Sequence, residues 1–223
     1  LAWSRGLGDV YKRQPINGTF NWIVQPRDGD IPRGRVYADG SRMYAEHRYF
    51  NLLAKHGWAF LVANADGKVI AAASGTVPWW ITGIYGSELW ALLQAASSAC
   101  PGSPMFVDCN AVRLGAHNGL NWALSSSRKL ARAWVPLANI LEGSTDLVAW
   151  LPAHCNRTAI GSRVLSNGRM FDSIDHASNE LVDKWAKNEA KATAPTRSEL
   201  RVVKEATELV EDIAIWIGLC TRE

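Results

Sequence analysis

The stretch GWAFLVANADGKVIAAASGTV, residues 57–77, decides the fold. Two apolar runs, 57–65 and 68–77, flank Asp66-Gly67. A turn dipeptide between such runs predicts a β-hairpin, because glycine supplies the positive φ that a tight reversal needs. Toward the N-terminus, the short run Val36-Tyr37-Ala38 predicts a strand over 33–39 that stops at Asp39-Gly40-Ser41, which puts Asp39 at a strand end or turn. Toward the C-terminus, a Trp/Pro/Gly loop runs through residue 86. Leu89, Leu92, Leu93 and Ala96 then recur at helical spacing and predict a helix over 88–99 that opens with Glu88. Asp108 follows Met105-Phe106-Val107 in a strand over 104–109. Helical stretches between 111 and 141, a strand over 146–152 and a helix over 177–191 complete the series, the last carrying Asp183. The order βββαβαβα describes an α/β domain: a mixed five-stranded sheet, an antiparallel meander first and helix-joined strands after, flanked by helices.

At 223 residues the chain holds one sizeable core. With 48% hydrophobic and 20% charged residues it is not an intrinsically disordered sequence. A net charge of +3 permits a nucleic-acid partner without requiring one, so any binding face is local. Cys100, Cys109, Cys155 and Cys220 are far apart and show no CxxC spacing, which supports neither a zinc knuckle nor a disulfide framework and suits an intracellular compartment, cytoplasm or nucleus. Residues 69–107 carry one charge, Glu88, but glycines and prolines interrupt them throughout, so no membrane span is expected.

Residues 1–14 carry no periodicity, and 1–29 are expected to be a non-native or disordered segment ahead of a domain at 30–192. After Ala192–Pro195, Thr196 and Glu199 form a capping box before an amphipathic helix within 193–223. Its stripe of Leu200, Val203, Ala206, Val210, Ile213 and Ile217 is expected to pack on the chain's own domain.

Asp39, Glu88, Asp108 and Asp183 stand apart from the other acids because two end apolar runs and two sit on helical patterns. A carboxylate at an apolar strand is costly unless a cation or hydrogen bonds compensate it. Four of them converging would suit a hard divalent cation, which prefers oxygen ligands. Taken singly, Asp39 also reads as a turn former and Glu88 as a first-turn helix carboxylate.

The segments YADGS (37–41), SELWALLQA (87–95), FVDCN (106–110), AWLPAH (149–154) and NELVDKWAK (179–187), in that order, resemble the type 1 ribonuclease H family, which includes the ribonuclease H domains of reverse transcriptases. The resemblance implies a ribonuclease H-like fold and hydrolysis of the RNA strand of an RNA–DNA hybrid with two magnesium ions, manganese serving as a substitute. It implies that Asp39, Glu88, Asp108 and Asp183 are the metal ligands and that His154 is an accessory catalytic histidine. Ser41, Asn110, Arg128, Lys129, Arg132 and Arg157 are the candidate substrate contacts, Arg128, Lys129 and Arg132 being read as one basic helical face. The chain departs from the family pattern in the 29 residues between His154 and Asp183, where a segment around 155–175 with Arg157, Arg163 and Arg169 is inserted and expected to form a mobile flap. Asp172 and Asp175 are rivals to Asp183 within that stretch. Two settings stay open, a free-standing enzyme and a retroelement polyprotein fragment beside reverse transcriptase domains. The alternative function is a non-catalytic nucleic-acid-binding or scaffold module of a reverse transcriptase.

Overall fold

In the computed structural model, which describes residues 18–26, 29–43, 54–153 and 155–221, the hairpin pairs β3 (Lys55–Ala63) with β4 (Val69–Thr76) antiparallel. Its turn is set by Asn64, whose Oδ1 accepts the backbone N–H of Asp66 at 3.1 Å and of Lys68 at 2.9 Å, and by Gly67 at φ +79°. Strand β2 (Arg35–Met43) lies antiparallel against the other side of β3. Strands β5 (Met105–Val107) and β6 (Val148–Trp150) then add in parallel.

The sheet has six strands rather than five, in the order β1-β4-β3-β2-β5-β6. The extra edge strand, β1 (Asn21–Val24), pairs with β4 and comes from the stretch that sequence periodicity leaves outside the domain. Aromatic packing accounts for it: Phe20 lies 5.4 Å from the Trp58 ring and Trp22 lies 6.2 Å from Phe60.

Strand β3 is buried along its whole length, which explains why its sequence is apolar on both faces from Gly57 onward, after the buried polar pair Lys55 and His56. One face, with Val36, Trp58 and Phe60, packs against α1 (Ile84–Ser98) through Leu89 and Leu92, and α4 (Ala131–Ile140) packs in turn on α1, its Trp134 and Leu137 joining the same core. The opposite face, with Tyr37, Leu61 and Phe106, packs against α5 (Ser173–Ala192) through Val182 and Ala186. The helical stretch between 111 and 141 resolves into α2 (Asn110–His117), α3 (Gly119–Ala123) and α4. Arg128 and Lys129 fall in the loop between α3 and α4, so they do not share a helical face with Arg132.

Helix α5 starts four residues earlier than the sequence pattern predicts, because Asp172 and Asp175 close a reciprocal capping box, each carboxylate accepting the other's backbone N–H at 2.9 Å. The inserted segment ahead of it is anchored rather than a loose flap. Leu165 and Phe171 are buried in the α5-side core, Val164 bridges Met170, and Arg169 forms ion pairs with Asp172 and Asp175. The C-terminal helix α6 (Arg197–Cys220) has the expected capping box on Thr196, but none of its residues is buried. Its expected packing against the domain is overturned: Ile215 is 62% exposed and Trp216 is 66% exposed.

Candidate active site

Asp39 lies inside β2, not at a turn, since Gly40 and Ser41 continue the strand to Met43. Its neighbour across the parallel pair is the end of β5, where Ala38 sits beside Val107, and this register brings Asp108 alongside. By two-residue alternation Asp39 points to the same face as Tyr37, which is the α5 side.

Glu88 comes from α1 on the other side, and Gly40 lets it through. A Cβ at Gly40 would stand 2.3 Å from the Glu88 nitrogen and 2.4 Å from the Ser87 carbonyl carbon. With hydrogen in its place, α1 approaches the strand closely enough for the Gly40 N–H to donate to Glu88 Oε2 at 2.9 Å. One carboxylate oxygen each from Asp39, Glu88 and Asp108 then lies within 4.8 Å of the others.

Carboxylates at this separation disfavour the charged form of Asp39 and Glu88. Burial pushes the Asp39 carboxyl well above its ordinary range, and the charges of Asp108 and Asp183 push it further. Glu88 is raised in the same way, by burial first and then by Asp39 and Asp108, against the Gly40 hydrogen bond. The Cys109 thiol beside them is also pushed up, chiefly by burial. Asp39 Oδ2 is buried without a hydrogen-bond partner. An orphaned carboxylate oxygen facing two further carboxylates fits a hard divalent cation, which would supply the missing charge and ligation.

Asp183 stands at the edge of this group. It lines a cavity of about 520 Å³ with Asp108, and its Oδ2 accepts from Lys187 Nζ at 2.7 Å, one turn along α5. Its rivals are engaged elsewhere. Asp175 has no exposed side-chain surface and accepts from the Tyr37 hydroxyl at 2.7 Å, while Asp172 pairs with Arg35 and Arg169. Burial would raise Asp172, but the Asp175 N–H and Arg35 hold its carboxyl below the ordinary range.

The remaining candidates scatter. Ser41 is buried two residues beyond Asp39. Asn110 opens α2 in an exposed position and accepts from Arg113 Nε at 2.9 Å. Arg128 stacks on the Trp122 ring at 3.6 Å, and neither it, Lys129 nor Arg132 lines the cavity. Arg157 does line it. His154 lies outside the described residues. The cavity also brings in His176, Asn179 and Glu180, which the sequence shows only as the lead-in to Asp183. Their spacing of i, i+3, i+4 and i+7 to Asp183 was the available signal.

No family model and no curated protein matches this chain. Among solved structures it is similar to the RNase H domain of prototype foamy virus (TM-score 0.49, 16% identity, 72% of this chain and 95% of that one). It is similar to RNase H1 of the halophilic archaeon Halobacterium salinarum (TM-score 0.44, 19% identity, 72% and 99% covered). It is also similar to the N-terminal RNase H domain of a Mycobacterium tuberculosis protein (TM-score 0.44, 13% identity, 72% and 96% covered).

Proposed function

We propose that this chain is an endoribonuclease that hydrolyses the RNA strand of RNA–DNA hybrids with divalent metal at Asp39, Glu88, Asp108 and Asp183. The observation that carries this reading is the trio of buried Asp39 and Glu88 with half-buried Asp108, their oxygens within 4.8 Å and one of them unpartnered, beside an open cavity. Bound magnesium would polarise the scissile phosphate and lower the pKa of an attacking water. The chain's own residues do the rest. Gly40 fixes Glu88 by its N–H, so the ligand is positioned before any substrate arrives. Asp108 and Asp183 face the cavity, where the phosphodiester would enter. Recognition of RNA over DNA rests on groups that reach the ribose 2′-hydroxyl from the minor-groove side. His154 is proposed to move protons or aid product release.

The setting within a retroelement polyprotein, beside reverse transcriptase domains, and an intracellular location belong to the same proposal and rest on the sequence resemblance and the cysteine pattern. One observation favours a second reading, a non-catalytic binding or scaffold module. Lys187 already neutralises Asp183 at 2.7 Å, as a retired metal site would require.

The test is incubation of the protein with labelled RNA–DNA hybrid, double-stranded RNA and double-stranded DNA, each with magnesium and with EDTA. Cutting of the hybrid RNA strand only when metal is present is the expected result. Cutting that persists in EDTA, or hybrid binding without any cutting under magnesium or manganese, overturns it, the latter in favour of the binding module.

A further inference from the structure

The cavity beside the carboxylates is built in part by the inserted segment. Its lining combines a face of α5 bearing His176, Asn179, Glu180 and Asp183 with Cys155, Asn156 and Arg157 of the inserted segment. Its volume, about 520 Å³, is that of a small-ligand pocket, and one sugar–phosphate unit fits within it.

Three features set the chemistry of the occupant. Arg157 is exposed and makes no ion pair among the described residues, whereas Arg169 of the same segment and Arg35 are taken up by Asp172 and Asp175. An arginine in that state offers a planar fork to a phosphate. On α5, Glu180 presents a carboxylate held by His176 Nδ1 at 3.3 Å, an acceptor suited to a hydroxyl and hostile to a second anion. Finally, the cavity shares Asp108 and Asp183 with the acidic group, so whatever fills it is continuous with what lies over the metal ligands. In a duplex the bases are stacked and paired, and only the sugar–phosphate backbone reaches such a recess.

We propose that this cavity is a subsite for the ribose–phosphate unit of the RNA strand adjoining the cleaved phosphate, with Arg157 pairing its phosphate and Glu180 accepting its 2′-hydroxyl. The assignment rests on the nuclease reading and deepens it, because it gives the inserted segment a part in telling RNA from DNA.

The experiment measures steady-state cleavage of a labelled hybrid by the full chain, by Arg157→Ala and by Glu180→Ala, over a salt series. Hybrids carrying a single 2′-deoxynucleotide walked along the RNA strand are cleaved in parallel. Arg157→Ala is expected to raise KM roughly tenfold with kcat retained, the scale of one charge-assisted hydrogen bond, and to lower the salt slope of kcat/KM by about one. At one position beside the cut, a deoxynucleotide is expected to raise KM for the full chain and not for Glu180→Ala, which has no acceptor for the hydroxyl. If the full chain cuts hybrid while Arg157→Ala keeps its KM and salt slope, or Glu180→Ala keeps the deoxynucleotide penalty, the subsite is wrong and the nuclease reading stands. If the full chain cuts no hybrid, the nuclease reading falls and the subsite with it.

Discussion

Asp39 is 4% exposed and keeps one oxygen without a partner, so the metal-free fold holds at its centre a carboxyl whose charged form is disfavoured by burial and by Asp108 and Asp183. Removing the ionisable group relieves that cost, and Asp39→Asn is therefore expected to raise the metal-free Tm, by about 2–4 °C for each kcal/mol relieved in a chain of this size. Under the proposed metal site, magnesium is expected to raise the Tm of the unaltered protein, and the same change is expected to abolish that rise. Melting curves with magnesium and with EDTA check both; a metal-free Tm that drops would make Asp39 a structural hydrogen-bonding group instead. His56 makes a second case. Burial, with the charges of Arg42 and Lys55, lowers its pKa from 6.5 to about 4, and its Nδ1 lies 2.8 Å from Ser87 Oγ. Above pH 6.5 the ring is neutral folded and unfolded and adds nothing to the pH dependence. As pH falls below 6.5, the unfolded chain takes up a proton that the folded chain refuses until about pH 4, so stability declines across that window. The stability of the unaltered protein relative to His56→Gln is expected to fall by roughly 3 kcal/mol from pH 7 to pH 4, read from urea unfolding at each pH. Asp39 and Glu88 also titrate with raised values, but they are common to both proteins and cancel. The trio of acids was legible because Asp39 and Asp108 end apolar runs and Glu88 is the one charge in residues 69–107, so each is conspicuous. Gly40 was legible only as a turn residue, since its service to Glu88 depends on how closely a helix 48 positions away approaches the strand.

Between elements, the tightest crossing is that of α5 over β3. A Cβ on Gly57 would stand 2.2 Å from the Ala186 carbonyl oxygen and 2.6 Å from the Ala190 nitrogen, both backbone atoms. Gly57→Ala is expected to cost about 3 kcal/mol, at the upper end of overpacking, and to move Asp183 off the acidic trio. Urea unfolding gives the first effect, and a weakened Tm response to magnesium gives the second; an unchanged midpoint would mean that α5 shifts freely. The hairpin, the two principal helices and the parallel strands were readable from periodicity, because each has a face whose burial repeats at the period of its element. The inserted segment was not. Its glycines and polar residues spell a loose loop, whereas its order comes from Leu165 and Phe171 in the core and from a carboxylate pair that also binds Arg35, 137 positions from Asp172. Partners so remote in sequence leave no local mark. Edge strand β1 escaped for the same reason, its support being the rings of Trp58 and Phe60 on β3.

For the molecule as a whole, the sheet and its two helical layers hold together without α6, in which no residue is buried. Ending the chain after Pro195 is expected to leave the Tm within about 2 °C, because no buried residue is lost. Differential scanning calorimetry of the shortened and full chains decides it, and a larger fall would show that α6 shields part of the domain in solution. No helix is long and apolar enough to cross a membrane, among the described residues. The long helix that carries Asp183 has a different character, being gripped at two places. At its start Asp172 and Asp175 bind Arg35, Tyr37 and Arg169, and near its end Ala186 and Ala190 rest on Gly57. It behaves as a beam clamped at both supports, with Asp183 in the span between them. A carboxylate mounted that way has little travel, so if a cation does arrive there, the backbone that carries Asp183 is already in place and only the Lys187 ammonium has to give way. Under the proposed reading, metal would then associate and leave by the swing of one lysine side chain, without waiting for a helix to shift.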